Sequence, residues 1–94
     1  MLSQIPINLK EIDKKNLDNE IMRTAIIAEL DAINLYEQMA SLALDEILKK
    51  ILLEVAREEK THVGEFQAML LQTDKEQEME LISGKAEVDE LREE

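Results

Sequence analysis

The chain has 94 residues, with 22 Asp and Glu against 11 Lys and Arg and a net charge of −11, which allows one domain at most. So acidic a chain excludes nucleic acid and anionic lipid as partners, because both demand a basic surface. There is no cysteine, so disulfides, thiolate ligands and redox thiols are ruled out.

Residues 1–16 read as an irregular N-terminal segment, with Pro6 set between isoleucines and no sustained helical period. The opening "MLSQIPINLKEIDKK" lacks the basic start and apolar run of a signal peptide. No stretch approaches the roughly 18 apolar residues of a membrane span. The expectation is a soluble, intracellular chain.

From about Leu17 the run "LDNEIMRTAIIAELDAINLYEQMASLAL" holds no Gly or Pro and consists largely of good helix formers. Asp18 and Glu20 suit a helix N-terminus. Asp45 is a plausible N-cap for a second helix, "EILKKILLEVAREEKTHVGEFQAMLLQ". That helix is expected to end near Gln72, so residues 17–72 form an antiparallel helical hairpin. Thr73 or Asp74 can cap a short third helix in the C-terminal helical segment 73–94; that helix is expected to stop at Ser83-Gly84, and the tail "KAEVDELREE" beyond it can be helical but carries a weak apolar pattern.

The apolar period carries the chemistry. Met22, Ala25, Glu29, Ala32, Tyr36, Met39 and Ala43 on the first helix are spaced three and four apart. So are Leu48, Leu52, Val55, Glu59, His62, Phe66 and Met69 on the second. These are the seam positions of two helices packed lengthwise. Every member is apolar or aromatic except Glu29, Glu59 and His62. Glu29 and Glu59 are equidistant from the turn at Leu44, each about 22 Å away at about 1.5 Å per residue. His62 stands one helical turn from Glu59 and projects on the same side. The three groups are expected to converge.

Carboxylates on a packing seam cost several kcal/mol unless paired or coordinated, and neither seam offers Lys or Arg. A divalent cation resolves this, because carboxylate and imidazole are good ligands for Fe(II), Mn(II) or Zn(II). Di-iron carboxylate bundles take a Glu from each of two helices and Glu-x-x-His from each of the other two. This chain supplies one helix of each kind, half of the set. Two copies give four carboxylates and two imidazoles for two ions, and the four negative charges balance two divalent cations. The reading is therefore all-α: a hairpin plus a short C-terminal helix, dimerising into a four-helix bundle around a di-iron centre with one iron per chain. Ile26, Ile27, Leu30, Ile33 and Leu35 widen the apolar face beyond what one partner helix covers, which argues independently for a homodimer.

Glu supplies 16 of 94 residues, so Glu-x-x-His alone carries little information. The coincidence of three polar seam residues at one depth carries the case. Tyr36, two turns after Glu29, either hydrogen-bonds a ligand or the metal-bound species, or is an ordinary core aromatic. Asp31, on the other side of the first helix, is expected to be a solvated surface acid, with a secondary metal site formed with a symmetry-related copy as the alternative.

At "AIIAELDAINLYEQMA" and "ILLEVAREEKTHVGEFQAMLL" the sequence resembles the encapsulated ferritins, small ferritin-like proteins associated with encapsulin nanocompartments. The resemblance covers residues 20 to 72 and matches both motifs in order and separation. It implies a two-helix protomer whose dimers rebuild a ferritin four-helix bundle, often in a ring of ten chains. It assigns ferroxidase ligands to Glu29, Glu59 and His62 of each of two subunits, with Tyr36 nearby and iron as the metal. It also implies a cytoplasmic protein inside an encapsulin shell, separate from that shell or fused to it, where the ferric mineral accumulates. Some relatives carry an acid where this chain has Ala28, making with an acid at Asp31 an additional metal site. The expected activity is oxidation of Fe(II) to Fe(III) with dioxygen or peroxide as acceptor. The same ligands would also serve a non-catalytic metal-binding or metal-stabilised oligomeric module.

Overall fold

The computed structural model describes residues 16–94. The N-terminal segment expected to be irregular lies outside the described residues, save its last member, Asn16. Three helices follow in order: α1 (Leu17–Leu42), α2 (Glu46–Thr73) and α3 (Lys75–Glu93). Among the described residues there is no strand.

Each helix begins where the sequence supplies a reason. Asp18 and Glu20 lie in the first turn of α1 and favour the positive end of its dipole. The connection between α1 and α2 is short. Ala43 is extended and still donates its N–H to Met39 O at 3.0 Å, while Leu44 is almost fully exposed. Asp45 then caps α2, its Oδ1 accepting from Ile47 N at 2.8 Å and Leu48 N at 3.2 Å. Those bonds satisfy two of the amides that a helix start leaves without partners. Asp74 does the same for α3 through Gln77 N at 3.0 Å.

One boundary differs from the expectation. α3 runs through Ser83-Gly84 to Glu93 instead of stopping there. No glycine adopts positive φ, so Gly84 lies within the helix and is not its terminator. A single glycine costs about 1 kcal/mol relative to alanine, and its flanks are good helix formers. Beyond it, Lys85 Nζ meets Asp89 Oδ2 at 2.6 Å one turn on, a pairing that favours continuation.

α1 and α2 pack along their length as an antiparallel hairpin, and α3 makes only slight contact with α2. The buried residues between the long helices are few: Met22, Ile33, Ala40, Ala56 and Leu70. Ala40 and Ala56, each 2% exposed, let the backbones approach near the hairpin tip. Polar ties reinforce the edges. Lys60 Nζ lies 3.1 Å from Glu37 Oε2, and the Thr73 hydroxyl donates to Asn19. Arg23 of α1 pairs with Asp74 at the elbow before α3.

The expected seam needs correction in detail. Met39, Leu48 and Met69 are 37%, 48% and 57% exposed, whereas Ile33, Ala40, Ala56 and Leu70, outside that pattern, are buried. Two helices meet along one line, and the three-and-four stripe runs slightly to one side of it. Much of the stripe therefore borders an open apolar face. The radius of gyration is 16.6 Å against about 12 Å for a compact chain of this length. A single copy is thus a flat, thin-cored object that needs covering.

Candidate metal centre

The open face carries the trio. Glu29 comes from the middle of α1; Glu59 and His62 come from neighbouring turns of α2, so one helical repeat aims both toward α1. One donor atom from each lies within 4.8 Å of the other two. Among the described residues no other group of three acidic, His or Cys side chains gathers this way.

His62 Nδ1 stands 3.3 Å from Glu59 Oε2 and 3.5 Å from Glu29 Oε2. A neutral imidazole has at most one proton at Nδ1 to share, and the geometry directs it at Glu59. Glu29 Oε2 is left buried without a hydrogen bond. Such an orphan is expensive when anionic. A cation between the three groups would take its charge and would bind Nδ1 with the proton moved to Nε2. Carboxylate oxygen with imidazole nitrogen is a donor set suited to Fe(II), Mn(II) or Zn(II), so the residues fit a metal ion.

The three side chains are unequally exposed. The side chains of Glu29 and Glu59 are 20% and 19% exposed, but His62 is 43% exposed. Burial comes from the hairpin side, and the opposite side is open. Along α2, Leu48, Ile51 and Met69, which share the helical face of Glu59 and His62, are also exposed. An exposed apolar face of this kind is suited to a second protein surface.

Tyr36 follows Glu29 by two turns on the same stripe and is half-buried. Its hydroxyl takes part in none of the hydrogen bonds among the described residues, so within one copy it is not tied to the trio. Asp31 departs from its expectation. It is 8% exposed rather than solvated, it has an interaction partner, and it is no member of the metal-binding group. Its polarity suggested a surface position; burial of one side of α1 could not be read from helical period alone.

Comparison with known proteins agrees with this architecture. The family described as Rubrerythrin matches residues 20–92. Over 72 residues the chain is 68% identical to a curated protein of Pyrococcus furiosus (strain ATCC 43587 / DSM 3638 / JCM 8422 / Vc1) named ferritin-like-encapsulin shell fusion protein. That alignment takes in 77% of this chain but 21% of the relative, so the chain spans about a fifth of that protein. A solved structure, the encapsulated ferritin domain from Pyrococcus furiosus, superposes with a TM-score of 0.82 at 57% identity, covering 97% of this chain and 93% of that one. The chain belongs to the ferritin-like, rubrerythrin-type family, and within it to the encapsulated ferritins.

Proposed function

We propose that the protein is a ferroxidase whose di-iron site forms between two copies, each contributing Glu29, Glu59 and His62. One observation carries this reading: a buried carboxylate oxygen of Glu29 without a hydrogen bond faces a second carboxylate and an imidazole nitrogen on an open apolar face. A single copy offers two carboxylates and one imidazole, too few to surround an ion. Two copies, face to face, offer four carboxylates and two imidazoles, the complete donor set of a di-iron carboxylate bundle.

Fe(II) is the substrate. The carboxylates attract it and hold two ions close together, and His62 Nδ1 supplies the softer donor. Each ion gives up one electron. The two electrons, with two protons, reduce dioxygen to hydrogen peroxide or peroxide to two waters. Oxidation raises the positive charge between the four carboxylates and makes ferric product. The relative from Pyrococcus furiosus, by its name, joins a ferritin-like part to an encapsulin shell. By that likeness this protein works inside such a shell; the homodimer, and the larger ring of ten chains, are what the resemblance to the encapsulated ferritins implies. The shell would then receive the ferric mineral. Among the described residues no helix is long and apolar enough to cross a membrane.

The same trio would serve a protein that only holds metal. Adding Fe(II) to the metal-free protein in air separates the two. A ferroxidase consumes oxygen and develops ferric absorbance faster than buffer iron does; a protein that binds Fe(II) without accelerating either is a metal-binding module, and the proposal fails.

A further inference from the structure

The open face that carries the trio also carries sulfur. The chain has five methionines and no cysteine, so thioethers are its only sulfur groups. Met22, Met39, Met69 and Met79 fall among the described residues, and their surroundings differ. Met22 is 8% exposed and Met39 37%, whereas Met69 and Met79 reach 57% and 64%. Met79 stands on α3, off the hairpin. Met69 follows His62 by seven residues on α2, about 10.5 Å along the axis and about 20° around it, and so shares the face of Glu59 and His62. It is also set in an apolar hollow. With Ile21, Met22 and Phe66 it lines a depression of about 370 Å³ between the first turns of α1 and the last turns of α2.

In a chain without cysteine, a thioether is the side chain that peroxide oxidises most readily. Hydrogen peroxide is the product of the proposed reaction when dioxygen accepts the electrons, and the reactant when peroxide does. A sulfur lone pair attacks one peroxide oxygen, so that an S–O bond forms as the O–O bond breaks. The departing hydroxide takes the proton from the oxygen that stays and leaves as water. Sulfur is oxidised by two electrons and peroxide is reduced by the same two. The sulfoxide so formed is a polar acceptor, and the side chains of Ile21, Met22 and Phe66 offer it no donor. Covering that face then buries an acceptor without a partner, which is costly.

We infer that Met69 is a peroxide-sensitive modification site whose sulfoxide blocks the pairing of copies at the metal face and so shuts down the iron site. The inference rests on the reading of a site shared between two copies. In a separate copy the Met69 side chain is open to solvent, and pairing covers it, so oxidation competes with assembly. Peroxide that outruns the supply of Fe(II) therefore withdraws free copies from use, and methionine sulfoxide reductases return them. Met79, exposed but off this face, is oxidised without that consequence.

The test treats the metal-free protein with hydrogen peroxide, removes the excess with catalase and locates the added oxygen by peptide mass spectrometry. Met69 and Met79 are expected to gain one oxygen each while Met22 stays reduced. Anaerobic Fe(II) titration of the treated protein is expected to show tight binding weakened about tenfold or more, with a lower native mass by analytical ultracentrifugation. Met69→Leu keeps the apolar volume and forms no sulfoxide, so it is expected to retain both properties after the same treatment. Met79→Leu is expected to lose them as the unaltered protein does, and methionine sulfoxide reductases to restore them. The inference is overturned if Met69 stays reduced while Met79 converts, or if protein carrying the Met69 sulfoxide binds iron as before. Loss of binding by treated Met69→Leu overturns it equally. Untreated protein tells the two readings apart. A monomer that holds its iron before any treatment overturns the shared site and this inference with it, whereas a shared site indifferent to Met69 oxidation overturns this inference alone.

Discussion

Glu29 of α1 and His62 of α2 face each other across the hairpin with Oε2 and Nδ1 3.5 Å apart, yet the Glu29 oxygen has no hydrogen bond. His62 instead bonds Glu59 at 3.3 Å. This unequal sharing leaves one buried carboxylate oxygen unsatisfied, and a cation is the simplest group that satisfies all three side chains together.

The orphan carboxylate should be a burden in the absence of metal. Replacing Glu29 by Leu is expected to raise the stability of the metal-free protein by about 1 kcal/mol, the low end of the range for an unsatisfied buried group, since the side chain keeps some solvent. The same change should abolish any rise in melting temperature on adding Fe(II) or Zn(II). Thermal melts of both proteins with and without metal check this. A variant that loses stability without metal would mean that Glu29 is already well satisfied.

His62 and Glu59 are only partly enclosed, so their removal should spare the fold. His62→Ala and Glu59→Ala are each expected to eliminate the rapid phase of Fe(II) oxidation while circular dichroism stays helical. Stopped-flow absorbance in air measures the rate. Unchanged kinetics in either variant would remove that residue from the ligand set.

The site was more legible in the sequence than its setting. Glu29, Glu59 and His62 interrupt otherwise apolar stripes, and helical period with an antiparallel turn near Leu44 sufficed to bring them together. Asp45 as a cap was readable for the same local reason. Asp31 was not, because its burial depends on what covers α1 and not on its own neighbours in sequence. The end of α3 was also misread: Ser83-Gly84 is a stop signal only when glycine turns to positive φ, and here Lys85, Ala86 and Glu87 carry the helix through. The exact contact line of α1 and α2 escaped too, since a three-and-four stripe specifies a face and not which residue on it touches the neighbour.

Asp74 caps α3 and pairs with Arg23, and these interactions hold its carboxyl below its ordinary value of 3.8, the bond from Gln77 N being the larger cause. A depressed carboxylate stabilises the folded form fully above the ordinary value and loses that contribution as pH falls through the lowered one. The elbow should therefore be indifferent to pH near neutrality and loosen below 3.8. Amide exchange in the first turn of α3, followed downward in pH, checks this. Asp74→Ala should show fast exchange there at every pH.

Asp45 offers a simpler stability test. Its side chain satisfies two amides at the start of α2, and Asp45→Ala is expected to cost about 1 kcal/mol without affecting iron oxidation. Chemical denaturation gives the first quantity and stopped-flow the second. A change in oxidation rate would mean that the hairpin tip communicates with the metal face.

A site shared between two copies gives each chain half of the ligands. Anaerobic titration of metal-free protein with Fe(II), followed by calorimetry and by native mass, measures this directly. The expected result is saturation of the tight sites at one iron per chain, in a species no smaller than a dimer. Two tightly held irons per chain, or one held by a monomer, would contradict it.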